Sequence, residues 1–144
     1  MAKRILVSEV LALVAKAETR KEKIDILRKN NSLELRDVLK GAFDDTVEFI
    51  LPKGNPPIDE QEKKKYDKTH LVRETKKFRY FVKGGPGEQV NALRRERMFI
   101  DILYRIESKE AEVICAMKDK ELENIYKGLT KKLVSEAFPG LIFK

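Results

Sequence analysis

An all-α fold, built as one compact multi-helix domain, is what this sequence predicts, and three observations carry it. Apolar residues recur at helical spacing along most of the 144 residues. No stretch alternates apolar and polar residues convincingly enough for a half-buried strand. The breaks between the periodic stretches carry helix-capping residues, Gly and Pro. Six to eight helices are expected, with no internal repeat and no low-complexity tract. The length suits a single core.

The elements follow in order. Apolar residues at 6, 10, 13, 14 and 17 mark one face of a helix over residues 3–17. Glu9 interrupts the apolar stretch 5–15, so it reads as an amphipathic helix and not as a signal peptide. Thr19 and Glu22 stand at capping-box spacing before a second helix, with Ile24 and Leu27 inward and an end near Asn30 and Asn31. Ser32 is placed to cap a third, whose Leu35, Val38, Leu39, Ala42 and Phe43 face inward. Residues 47–51 are short, apolar and β-branched, either a last helical turn or a brief extended piece. Pro52, Pro56 and Pro57, with Gly54 between them, form a break that no helix crosses. Residues 52–68 are expected to be a mobile polar loop, with a poorly packed helix over 59–67 as the alternative.

Leu71, Phe78, Phe81 and Val82 then predict a helix over 70–82, and Gly84, Gly85, Pro86 and Gly87 a sharp turn. Residues 88–107 read as the longest helix, burying Val90, Leu93, Phe99, Ile100, Leu103 and Ile106. Ser108 starts another, with Glu110 and Glu112 in its first turn, where the helix dipole favours carboxylates, and Val113, Ile114 and Met117 packed. A short basic helix follows the Gly128 turn. Its Leu133, Val134, Ala137 and Phe138 face inward, and Pro139-Gly140 stops it. Leu39, Phe43, Phe99, Leu103, Ile114, Leu133, Val134 and Phe138 are expected in one common core.

The charge is strongly positive: 31 Lys and Arg against 24 Asp and Glu, a net +7. Such a balance favours an acidic partner, with nucleic acid first and an anionic membrane surface second. Apolar residues still make up 42% of the chain, so this is a folded domain with a charged skin. No apolar run approaches the ~20 residues of a membrane span, and no membrane partner is expected. Cys115 is the one cysteine, which excludes an intrachain disulfide, fits a reducing cytoplasm and reads as a small packed residue.

The positive charge is clustered. Residues 63–83 hold nine Lys or Arg, including Lys76, Lys77 and Arg79, against Asp67 and Glu74, with Tyr66, Phe78, Tyr80 and Phe81 interleaved. Arg94, Arg95 and Arg97 form a second cluster, and Lys127, Lys131 and Lys132 a third. Aromatic rings among cations suit stacking on bases, while Phe78 and Phe81 equally suit a core. At the third cluster, Gly128 and Thr130 precede a helix start, where free N–H groups, a hydroxyl and lysines suit a phosphate. A plain capped surface helix is the other reading. The candidate phosphate-binding residues are therefore Gly128, Thr130, Lys131, Lys132, Lys127, Arg94, Arg95, Lys76, Lys77 and Arg79.

The chemistry of enzymes is missing. Cys115 and His70 alone cannot make a zinc site. The 84–87 turn lacks a preceding strand and a Gly-Lys-Ser/Thr ending, so it is no phosphate loop of that kind. No catalysis, cofactor, metal or small-molecule substrate is expected.

Two stretches carry a family resemblance. Thr19-Arg-Lys-Glu-Lys-Ile-Asp-Ile-Leu-Arg-Lys-Asn30, followed by Leu33-Glu-Leu-Arg-Asp-Val-Leu39, resembles the opening helices of the N-terminal DNA-binding domain of ATP-dependent DNA ligases, especially those of T-even-type bacteriophages. Glu110-Ala-Glu-Val-Ile-Cys-Ala-Met-Lys-Asp119, then Gly128-Leu-Thr and Val134-Ser-Glu-Ala-Phe-Pro-Gly-Leu-Ile142, is similar to the closing helices. About half the chain is covered, and the middle aligns by pattern only. The resemblance implies an all-helical domain gripping duplex DNA through its backbone and minor groove, with Gly128, Thr130, Lys131 and Lys132 near phosphate. Ligation is not expected, because the catalytic lysine of that family lies in a Lys-x-Asp-Gly motif of a following domain. Lys65-Tyr66-Asp67-Lys68 lacks its glycine. The sequence also resembles small proteins of T-even-like phages, which implies the host-cell cytoplasm. A non-catalytic duplex-DNA binder with little sequence preference is the expected function. The alternative is an interaction module for a phage or host replication, transcription or defence protein.

Overall fold

The computed structural model describes residues 5–142, which form an all-α single domain. Its helices are α1 (Val7–Lys16), α2 (Arg20–Lys29), α3 (Leu33–Phe43), α4 (Glu60–Lys63), α5 (Leu71–Glu74), α6 (Ala92–Arg105), α7 (Ser108–Lys118), α8 (Leu122–Ile125) and α9 (Lys131–Ala137). Two 3₁₀ segments, Thr75–Phe81 and Pro86–Gln89, lie between α5 and α6. Helix α7 lies against α1, α3 and α6, and α2 lies between α1 and α9.

Local chemistry starts most of these helices. The Leu35 N–H donates to Ser32 Oγ (3.1 Å) and the Leu133 N–H to Thr130 Oγ1 (3.1 Å). The Glu22 N–H donates to Thr19 Oγ1 (3.2 Å), while the Glu22 carboxylate reaches back to the Glu18 N–H and not to that of Thr19. Helix α1 starts differently. The Glu110 carboxylate, 2% exposed on α7, accepts from the N–H groups of Val7 (3.0 Å) and Ser8 (2.7 Å). A residue expected to favour its own helix dipole thus caps another helix across the core. Helix α7 ends in a Schellman turn, with the Glu121 N–H donating to the Ala116 carbonyl and the Lys120 N–H to that of Met117. Lys120 occupies the left-handed position at φ +60°. Helices α3 and α7 approach closely at Gly41, where a Cβ would lie 2.8 Å from Met117 Sδ.

Several expectations are corrected. The buried face of α1 is Val7, Val10, Leu11 and Val14, while Leu13 is 44% exposed. Both sets are single helical stripes; the buried one is turned by about 60° around the axis from the expected one, which brings Val7 and Leu11 inward and leaves Leu13 outside. The start expected at Lys3 lies outside the described residues. Phe43 and Phe138 are half-buried and pack against the core from outside it; the other six expected core residues are buried.

The helix expected over 70–82 is one α-turn followed by 3₁₀ structure. Its buried residues Thr75, Phe78 and Phe81 recur every three, as a 3₁₀ helix requires. Beyond Phe81 the chain is held extended. The Ile50 N–H donates to the Phe81 carbonyl (2.7 Å) and the Lys83 N–H to that of Glu48 (2.8 Å), around an isolated Phe49–Val82 bridge. Residues 47–51 are therefore the extended piece. The long helix starts at Ala92, because Asn91 caps it by accepting from the Leu93 N–H (2.8 Å). Val90 consequently precedes the helix, Ile100 is half-buried and Leu93 is 75% exposed.

Residues 52–68 include the short helix α4 within the 59–67 stretch. Asp59 caps α4, Tyr66 stacks on Tyr104 with centroids 4.8 Å apart, and Lys63 is buried beneath the end of α6.

Two measurements check this packing. Glu110→Ala leaves two buried N–H groups unpaired and should lower the urea-unfolding free energy by about 1–3 kcal/mol. Glu112→Ala, at an exposed neighbour, should stay within about 0.5 kcal/mol; equal effects would remove the cap from the account. Burial pushes the Cys115 thiol up to about 11. Native protein at pH 7.5 should therefore react with a thiol-specific disulfide reagent far more slowly than urea-unfolded protein, and equal rates would contradict the packing.

Candidate nucleic-acid interface

The structure sorts the basic residues into two groups. One group turns inward onto backbone carbonyls. Lys23 Nζ donates to the carbonyls of Val14 and Ala17 at the end of α1. Lys120 Nζ donates to Gly41 and Asp44 at the end of α3, and Lys63 Nζ to Leu103 and Ile106, both 2.8 Å, at the end of α6. Arg28 donates to Glu136 (2.9 Å) and Ala137 (3.0 Å) at the end of α9. Lys118 Nζ meets the carbonyls of Pro52 and Gly54 and the Asp119 carboxylate. Burial pulls the Lys63 ammonium below the usual lysine range, with Lys68 adding to it and Glu60 and Glu107 opposing. Burial likewise lowers Lys120, against the pull of Asp45 and Asp44.

Arg95 belongs to this inward group, which corrects its place among the phosphate candidates. Its guanidinium donates to the carbonyls of Ile50 (3.2 Å), Gly87 (3.0 Å) and Val90 (2.9 Å). It ties α6 to the 3₁₀ turn and the extended piece, and those bonds occupy it. Arg94, one position earlier, is exposed.

The second group faces solvent. Lys64, Lys65, Lys68, Arg73, Lys76, Lys77, Arg79 and Lys83 are all exposed, and Asp67 is the one exposed carboxylate within 64–83. This stretch wraps α6: the Thr69 N–H donates to the Arg105 carbonyl, and Phe81 meets Phe99 edge-on at 5.5 Å. Lys76 has no partner among the described residues, Lys77 pairs with the buried Glu74 (2.8 Å), and the Arg79 guanidinium lies 5.2 Å from the Tyr80 ring. The interleaved aromatics are largely committed. Phe78 and Phe81 are core, and Tyr66 is held between Tyr104 and Arg105.

At the third cluster Gly128 adopts φ +90°, a conformation L side chains rarely take, and the Lys23 side chain passes over it. The helix itself starts later, at Lys131, and spans seven residues. Thr130 already spends its hydroxyl on the Leu133 N–H, so the helix start has fewer free groups for a phosphate than the sequence suggests. Lys127 and Lys132 are exposed, and Lys131 pairs with Asp45 at 2.7 Å. Helix α9 packs on α2 and α3, whereas the 75–81 segment packs on α3, α5 and α6. The clusters thus ride on different helices.

Residues 10–124 match DUF6433, a family of unknown function. The chain belongs to that family. The DUF6433 segment includes the 64–83 stretch and all of α6, and it stops before Lys127. No curated protein and no solved structure matches the chain. Among the described residues no helix is long and apolar enough to cross a membrane, and no three His, Cys, Asp or Glu gather to hold a metal ion.

The sorting itself is testable. Arg95→Ala removes three hydrogen bonds to carbonyls, of which that of Gly87 keeps the Val90 N–H, and should lower the unfolding free energy by about 1–3 kcal/mol. Arg94→Ala should change it by less than about 0.5 kcal/mol. Matching losses would show that Arg95 is a surface residue in solution.

Proposed function

We propose that this protein is a non-catalytic DNA-binding protein that grips duplex DNA through its phosphates with little sequence preference. The observation that carries the reading is the 64–83 stretch, where eight exposed cations face a single exposed carboxylate. Among the described residues none of the eight donates to a backbone carbonyl, while Lys65, Lys77 and Lys83 pair with the carboxylates of Glu62, Glu74 and Glu48. Arg94, Lys127, Lys131 and Lys132 extend the set. The Lys131–Asp45 pair lies on the surface, where an ion pair is worth little and yields to a phosphate. An all-helical domain is also what a relative of the ligase DNA-binding domain would be. On that reading the protein works in the cytoplasm of a phage-infected cell.

Phosphate contacts carry no base information, so affinity should depend on salt far more than on sequence. If about five phosphates are neutralised, log affinity for a random duplex should fall against log salt with a slope of roughly −4 to −5. A mobility-shift series on duplex, nicked and single-stranded DNA reads this directly. Lys76→Ala should flatten the slope by about one unit, and Lys131→Ala with Lys132→Ala by about one to two. Binding that ignores salt, or none at low salt, rejects the proposal.

The alternative reading is an interaction module aimed at a phage or host replication, transcription or defence protein. One observation favours it: the outward face of α6 carries an apolar residue, Leu93, that is 75% exposed.

A further inference from the structure

We propose that the 3₁₀ segment Thr75–Phe81 binds an unpaired nucleotide of DNA, with the base stacked on the Arg79–Tyr80 pair and the flanking phosphates on Lys76 and Lys77. The site rests on the nucleic-acid reading above and sets the kind of DNA that the 64–83 stretch selects.

Thr75, Phe78 and Phe81 are buried at every third position. In a 3₁₀ helix residues three apart eclipse one another, so two further rows remain, Lys76 with Arg79 and Lys77 with Tyr80. Lys76, Lys77 and Arg79 are exposed, and Tyr80 is half-buried. Each lysine stands one turn, roughly 6 Å along the axis, from its partner in the row. Seven residues is long for such a helix, whose runs rarely exceed three or four.

Tyr80 is the aromatic left over for a ligand. Of the four in 64–83, Phe78 and Phe81 are core and Tyr66 is stacked on Tyr104. The Tyr80 ring packs against the core without being enclosed by it. The Arg79 guanidinium lies 5.2 Å from its centroid and donates to its hydroxyl (3.3 Å). A π surface and a planar cation are thus held together, and both kinds of group stack on bases.

The pair is buttressed from behind. The turn at 84–87 folds the second 3₁₀ segment, Pro86–Gln89, against the first. A Cβ on Gly85 would lie 2.5 Å from the Arg79 carbonyl oxygen, and one on Gly87 would overlap that of Tyr80. Glycine at these two places lets the turn sit directly on the backbone of the pair. Arg95 then holds the turn through the Gly87 carbonyl. A platform fixed in this way loses little freedom on binding.

Base pairing decides the occupant. Bases inside a duplex are stacked on their neighbours and present their edges, so the cations meet phosphate and the ring meets nothing. A mismatched base leaves the stack at little cost and offers its face, while the lysines still take the phosphates on either side. A carboxylate-rich peptide would satisfy the lysines and place nothing on the ring.

The test reads the anisotropy of three fluorescein-labelled probes with equal numbers of phosphates. One is a continuous duplex, the second the same duplex with consecutive mismatches at its centre, and the third has abasic sites in place of the mismatched bases. The mismatched probe should bind about ten-fold more tightly than the continuous one, and the abasic probe should fall back to the continuous duplex. Tyr80→Leu keeps an apolar side chain against the core. It should remove the preference while leaving affinity for the continuous duplex unchanged, and Tyr80→Phe should retain the preference. An abasic probe that binds as tightly as the mismatched one assigns the preference to backbone flexibility and overturns the proposal, as does a preference that survives Tyr80→Leu. Equal, salt-sensitive binding of all three probes also overturns it and leaves the duplex reading standing, whereas binding of none rejects both.

Discussion

The carbonyl groups at the ends of short helices set the terms for this fold. A helix leaves its last four carbonyls without partners, and a chain of helices this short has many such ends per residue. Here the ends of α1, α3, α6 and α9 are met by Lys23, Lys120, Lys63 and Arg28. Each is a charge-assisted hydrogen bond, and each places positive charge at the negative end of a helix dipole. The extended piece and the proline loop use the same device through Arg95 and Lys118. Lys120 shows how strongly the arrangement is held. It occupies a left-handed turn position that favours glycine, and two carbonyl bonds from its own side chain lock it there.

This division changes the meaning of a net charge of +7. A cation whose protons are taken by buried carbonyls contributes to the field around the molecule but cannot close on a phosphate. What remains for a polyanion is concentrated where α6 is wrapped by 64–83, and the C-terminal lysines are a smaller, separate group. The electrostatic case for DNA therefore rests on fewer residues than the composition suggests, and on a different stretch from the Gly128 turn.

Features set by neighbours in sequence were legible. Ser32, Thr130 and the Thr19 side chain cap the helices their positions imply, because a cap needs only residues two or three away. The core of α6 at Phe99 and Leu103, and that of α9 at Leu133 and Val134, followed from periodicity. Features set across the fold were not legible. Nothing local marks Glu110 as the cap of α1, since its partners lie more than 100 residues away. Nothing distinguishes Arg95 from Arg94, or Lys63 from Lys64, until α6 is in place. The 3₁₀ stretch was missed because 71, 78, 81 and 82 fit a 3.6-residue period nearly as well as 75, 78 and 81 fit a period of three. Leu93 was read as core because it continues the period of α6, and the Asn91 cap leaves it facing water.

The most direct test of the central claim compares two adjacent lysines. Lys63 is buried and donates to the carbonyls of Leu103 and Ile106 at the end of α6, and Lys64 is exposed. Methionine keeps most of either stem and removes the ammonium. Urea unfolding of Lys63→Met should show a loss of about 1–3 kcal/mol, the cost of stranding buried carbonyls. Lys64→Met should stay within about 0.5 kcal/mol of the parent chain. Equal stabilities for the two variants, or a gain in Lys63→Met, would contradict the view that inward lysines hold the helix ends together.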